Sequence, residues 1–185
     1  MLFSQVHAVE IENVTASKSG DRYNVLLMMI AEIPEVFARE ILEDPDRMVR
    51  VNDELLAVHH IPSEQPGVRW LRDHTRACVW LFCVEYENTL SLRILENRDI
   101  QLTVDPALSD FNYGVFTWRT EPVDEERTRL VFHSVSEPGF WVPTTNVLES
   151  RMRKGVREMI LNMECEYRQD EQCIDPEWVD STHVD

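Results

Sequence analysis

The sequence predicts an α+β fold in which a curved antiparallel sheet of about six to seven strands wraps around one long C-terminal helix, with two short helices after the first strand. Three observations predict it. Leu148, Met152, Val156, Met159, Met163 and Tyr167 recur at four, four, three, four and four residues, a stripe that only an α-helix gathers onto one side. Residues 53 to 137 read as strands and turns alone. Between an early strand and that run lies a short helical pattern opened by Pro34 and closed by Pro45.

In chain order, residues 6 to 15, VHAVEIENVT, are strand-like, and Lys18 to Asp21 has turn chemistry, which predicts a hairpin. The next strand, Tyr23 to Ala31, is apolar on both faces and needs cover on both sides. After Pro34 a helix should bury Val36, Phe37, Ile41 and Leu42, and a second helical turn covers Asp46 to Val51. Strands then follow at Glu54 to His60, Val68 to about Val84 as one long or bent strand, Glu87 to Leu95, Ile100 to Val104, Tyr113 to Thr120 and Thr128 to Ser136. Turns are expected at Asn97 to Asp99 and Pro122 to Arg127.

Pro138, Gly139 and Pro143 stop the last strand, so the long helix begins near Thr145, with Asn146 and Glu149 in the form of a cap and its reciprocal acceptor. Residues 145 to 168 would extend roughly 36 Å, the width of a small domain. Beyond Tyr167 the composition changes: residues 169 to 185 hold six acidic residues and no Lys or Arg, an acidic mobile tail. The organisation expected is an N-terminal extension or extra strand at 1–20, one domain at 21–168 and the tail at 169–185.

A formal charge of −16 repels phosphate backbones and anionic headgroups, which argues against a nucleic-acid partner. The N-terminus lacks a basic start and an apolar core, and the longest apolar runs are far shorter than the roughly twenty residues that span a bilayer, so no integral membrane association is expected. Cys78, Cys83, Cys165 and Cys173 form no C-x-x-C pair. Cys78 and Cys83, five apart on one strand, should point to opposite faces and not bridge, which suggests reduced thiols and a cytoplasmic protein.

The catalytic signatures are sparse. No two of the five glycines are closer than sixteen positions, which excludes dinucleotide and phosphate loops, and no G-x-S-x-G or H-E-x-x-H occurs. His59 and His60, adjacent on a strand, face opposite ways and do not make a metal site, so no metal or cofactor is expected. Arg72, His74 and Arg76 share parity on the third strand. On a concave face they would be acid/base or carboxylate-binding groups, and on a convex face they are simply wet. Phe116, Trp118, Leu130 and Phe132 on adjacent strands should face Met152, Val156, Met159 and Met163 of the helix, a deformable apolar surface suited to an irregular ligand and equally to a core. Trp141, at the strand-to-helix bend, is the candidate rim residue.

The element order, with the segments ACVWLFC at Ala77 to Cys83, DFNYG at Asp110 to Gly114, WRTEP at Trp118 to Pro122 and EPGFWVP at Glu137 to Pro143, resembles the bacterial START-like (SRPBCC) superfamily. That helix-grip group includes polyketide cyclase/dehydrase-like and coenzyme Q-binding-like proteins, and the resemblance covers roughly residues 20 to 168. It implies a sheet curled around the C-terminal helix and an apolar cavity for a lipid, quinone or polyketide-like molecule. The expected function is binding or carriage of such a hydrophobic small molecule without catalysis. The alternative is an aromatase/cyclase or dehydratase that uses Arg76 or His74. The doubly apolar segments Val25 to Ala31 and Ala77 to Val84 also suggest a homodimer, or cover by the chain before Tyr23.

Overall fold

A computed structural model describes residues 9–63, 65–79 and 82–169. Among these residues one eight-stranded antiparallel sheet carries three helices. The elements are β1 Glu10–Ser19, β2 Arg22–Ala31, α1 Glu35–Glu43, α2 Pro45–Val51, β3 Leu55–Ile61, β4 Arg69–Val79, β5 Phe82–Ile94, β6 Ile100–Val104, β7 Phe111–Pro122, β8 Thr128–Pro138 and α3 Thr145–Arg168, with a single 3-10 turn at Pro106–Leu108. The spatial order is β1-β2-β8-β7-β6-β5-β4-β3, so β1 and β3 are the two edges.

The β1–β2 hairpin turns through Gly20 and Asp21, with Ser19 paired to Arg22. Gly20 holds φ +61°, the left-handed backbone that a tight turn requires and a side chain resists. Inside β2 the alternation is clear. Val25, Leu27, Met29 and Ala31 are buried in the core, while Leu26 and Met28, which point outward, are half-buried and Ile30 is buried. The outward Ile30 lies in register with Arg129 of β8 and Glu10 of β1.

Asp44 caps α2, its carboxylate accepting from the N–H groups of Asp46 and Arg47. On α1 the buried residues are Ala38, Arg39, Ile41 and Leu42, whereas Val36 is 69% exposed. That corrects the expected apolar face, because Ala38 rather than Val36 completes the i, i+3, i+4 stripe with Ile41 and Leu42.

The long strand expected from Val68 to Val84 is a hairpin. β4 and β5 pair from Arg69↔Leu92 to Val79↔Phe82. Because the chain reverses, Cys78 and Cys83 stand directly opposite on one face, their Cα atoms 4.0 Å apart, and they form a disulfide. This overturns the expectation that they diverge. Among the described residues no cysteine is a free thiol, which also removes the thiol-based argument for a cytoplasmic protein. Among the same residues no helix is long and apolar enough to cross a membrane.

α3 begins where the sequence places it, but Thr144 is its N-cap and makes no side-chain capping bond. Glu149 is not a capping acceptor: it accepts the N–H of Ala16 at 2.7 Å. The chain reaches α3 through Gly139, where a Cβ would lie 2.5 Å from the carbonyl oxygen of Asp110, so only glycine passes there. Val156, Met159, Ile160 and Met163 of α3 are buried with Leu27, Met29 and Leu130 of the sheet in one core. Replacing Met163, which is fully buried, by Ala should cost about 2–5 kcal/mol in urea unfolding, and Leu161→Ala, on the exposed side of the same helix, about 0.5 kcal/mol. Equal losses would mean that the helix does not pack as described.

Candidate ligand-binding site

α3 ties the two edges of the sheet together. On the β1 side Glu149 takes the N–H of Ala16, and Glu164 takes the N–H of Glu32 just after β2 at 2.8 Å. On the β3 side Arg151 contacts Glu54 at 2.6 Å, and the Asn162 amide donates to the Val51 carbonyl and to Asp53, both at 3.2 Å. Burial pushes the carboxyls of Glu54 and Asp53 above their ordinary range, opposed at Glu54 by Arg151 and reinforced at Asp53 by Glu158.

The second half of α3 seals against the sheet, and the first half does not. Leu148 and Met152 are only half-buried, as are the side chains that point inward from β5, β6, β7 and β8: Tyr86, Leu102, Phe116, Trp118 and Phe132. They form an aromatic row. Trp118 lies 4.7 Å from Phe132, Phe132 stacks on Phe116 at 6.4 Å, Phe116 meets Phe111 at 6.2 Å, and Phe111 meets Tyr86 at 5.3 Å. At the far end Phe140, from the β8–α3 connection, stacks on Tyr86 at 5.1 Å. Beside the Trp118 end a cavity of about 80 Å³ lies beneath Leu42, Pro45 and Met48 of the α1–α2 pair, floored by Leu71, Leu92 and Leu102. Pockets for drug-sized ligands run to roughly 300–1,000 Å³, so such a ligand needs the aromatic row as well as the cavity.

Among the described residues that line the cavity, one is charged. Asp73 lines the cavity from β4, and opposite it on β5 the N–H of Asn88 donates to Asp73 Oδ1 at 2.9 Å. Burial raises the Asp73 carboxyl to about 6, against the pull of Asn88, which bonds it through both backbone and side chain. Tyr86 and Thr75 are paired one step along the same strands. Burial, with the nearby charges of Asp73 and Glu54, pushes the Tyr86 hydroxyl well above its ordinary range.

No protein-family model matches the sequence, and a comparison with curated proteins finds no match. Solved structures do match. The Zhui aromatase/cyclase from Streptomyces sp. R1128 is 15% identical with a TM-score of 0.62, over 82% of this chain and 98% of that one. A START superfamily protein from Mycobacterium smegmatis is 13% identical with a TM-score of 0.62, over 79% and 97%. Human StAR-related lipid transfer protein 5 is 12% identical with a TM-score of 0.61, over 90% and 89%. The chain has the START-like helix-grip fold. At these identities the likeness speaks for the fold alone.

Within that START-like fold the expected site residues divide. Phe116, Trp118 and Phe132 come together on the concave wall, and Trp118 reaches the cavity. Met152 stands half-buried over the same side, while Leu130, Val156, Met159 and Met163 are core, each no more than 8% exposed. Trp141 is 72% exposed at the bend before α3. Arg76 does not reach the hollow. Its parity is that of the convex face, where it and His74 contact Glu85 at 3.7 and 3.3 Å, so the pair named for catalysis is on the wet side. His60 contacts Asp46 of α2 at 3.1 Å, and His133 contacts Asn24 at 3.1 Å.

The inward polar residues Asp73, Thr75, Tyr86 and Asn88 were not singled out from the sequence. The signal for them is parity: Asp73 and Thr75 continue the inward face of Leu71, and Tyr86 and Asn88 that of Leu90 and Leu92. A carboxyl raised on folding opposes stability above its folded pKa, and the opposition fades as pH falls through about 6 toward the unfolded value. Asp73→Asn should therefore raise the unfolding free energy by about 2 kcal/mol at pH 8 and by less than about 0.5 kcal/mol at pH 4. Chemical denaturation of both proteins across that range checks it, and a difference independent of pH would show that Asp73 is solvated.

Proposed function

We propose that this protein binds or carries a hydrophobic small molecule of lipid, quinone or polyketide-like character between the sheet and the first half of α3, without transforming it. One observation carries the reading. The side chains of Phe116, Trp118, Phe132, Leu102 and Met152 point inward yet keep accessible surface, whereas inward apolar residues under the second half of α3 keep almost none. An apolar wall left wet inside a fold gains free energy at roughly 25 cal/mol per Å² when a ligand covers it. Fold neighbours named as a lipid transfer protein and an aromatase/cyclase are consistent with an apolar ligand and do not choose between carriage and chemistry.

A second reading, an aromatase/cyclase or dehydratase acting on a polyketide-like chain, gains support from Asp73. A carboxyl near 6 inside an apolar hollow, with a tyrosine hydroxyl beside it, has the proton affinity that general acid/base chemistry near neutral pH requires. The residues that would carry it are Asp73 and Tyr86, not Arg76 and His74.

Binding of the neutral dye Nile red, followed by fluorescence, tests the first reading. Trp118→Ala and Phe132→Ala should each weaken binding about tenfold, and Val131→Ala, on the convex face, less than about twofold. Native mass spectrometry of protein purified from cells should also show an added mass that organic solvent extracts. Absence of both dye binding and any extractable ligand contradicts the reading.

A further inference from the structure

Asn88 is 2% exposed, and its side-chain Oδ1 has no hydrogen-bond partner. Its donors turn to Asp73. Its backbone N–H donates to Asp73 Oδ1, and its side-chain amide bonds the same carboxylate. The amide nitrogen is thus committed to Asp73, which leaves the oxygen as an acceptor without a donor on the concave side of β5. Native folds leave few buried acceptors in that state, and each costs stability until something satisfies it.

The surrounding charge is one-sided. Asp73 is the single charged side chain lining the cavity among the described residues. The charges that act on it and on its neighbour Tyr86 come from Glu87 and Glu54. Arg151, the cation that acts on the neighbouring Glu54, is already held by it at 2.6 Å. Among the described residues Arg151 Nε is the other orphaned buried side-chain atom, but it belongs to a guanidinium whose charge Glu54 offsets.

We infer that Asp73 and Asn88 form the subsite for the polar end of the ligand, and that this end is a hydrogen-bond donor, an alcohol or phenol hydroxyl, rather than a carboxylate. The inference rests on the apolar-ligand reading above. A hydroxyl supplies the proton that Asn88 Oδ1 lacks. A carboxylate supplies none, and it sets a second negative charge beside Asp73, which among the described residues has no cation lining the cavity with it. Of the compounds an apolar pocket could take, the site selects sterol-like or long-chain alcohols and phenols against fatty acids of the same length.

The test is competition against Nile red at pH 7.5 by three probes of equal chain length, dodecan-1-ol, dodecyl methyl ether and dodecanoate. Dodecan-1-ol should bind about tenfold more tightly than the ether, and dodecanoate should be the weakest of the three. Asn88→Leu should bring the alcohol down to the level of the ether and leave the ether itself within about twofold. Asp73→Asn, which keeps size and shape, should narrow the gap between dodecanoate and the alcohol even if the Asn88 variant does not fold. Equal affinities for the three probes overturn the donor subsite and leave the apolar-ligand reading standing. Failure of all three to displace bound Nile red likewise overturns the donor subsite, whereas failure of Nile red itself to bind, with no extractable ligand, overturns both.

Discussion

The constraint on which the rest depends is that an open sheet with two free edges closes on one helix. β1 and β3 end the sheet with backbone groups that no further strand among the described residues satisfies, and exposed edges of that kind invite aggregation. α3 answers both sides. Glu149 satisfies an N–H of the β1 edge, and Arg151 and Asn162 hold the chain that leads into β3. Fastened on both sides, the helix does not close evenly on the middle of the sheet. It packs fully from Val156 to Met163, and over its first half it leaves Leu148, Met152 and the facing aromatics partly open.

That incomplete closure is what gives the fold something to do. Filling the space with larger side chains would stabilise the protein and abolish the hollow, and burying Asp73 opposes stability at neutral pH. A polar group that costs stability in an apolar wall is the kind of feature that binding or chemistry accounts for, although such groups also occur in purely structural networks. Here the wall, the buried carboxyl and the orphaned Asn88 oxygen occur on the same concave surface of one sheet, the last two on β4 and β5.

Sequence periodicity found the parts of the fold that are long and regular. The α3 stripe, its start near Thr145 and the inward parity of Phe116, Trp118 and Phe132 all follow from spacing, because a helix and a strand each repeat without interruption there. The β4–β5 hairpin did not follow, since the run ACVWLFCV contains no glycine, proline or asparagine to mark a reversal. One missed turn had two consequences. The parity argument that separated Cys78 from Cys83 assumed a strand that never reverses, and the strand expected to run to Val84 ends at Val79. The choice between the faces of β4 was a different matter. Arg76 and Asp73 lie on opposite parities, and only the packing of Leu71 against the helices decides which of them is inside. Similarly, Glu149 looked like a local cap because sequence shows near neighbours, while its actual partner, Ala16, is 133 residues away.

A crystal of the protein under xenon pressure measures the hollow most directly, since xenon collects in apolar space that side chains leave unfilled. The account predicts xenon against Leu71, Leu92 and Trp118, beneath the α1–α2 pair, with a second position between Phe132 and Met152 under the first half of α3. Crystals that take up xenon only on the convex face, or show Met152 packed flush on Phe132, would contradict it.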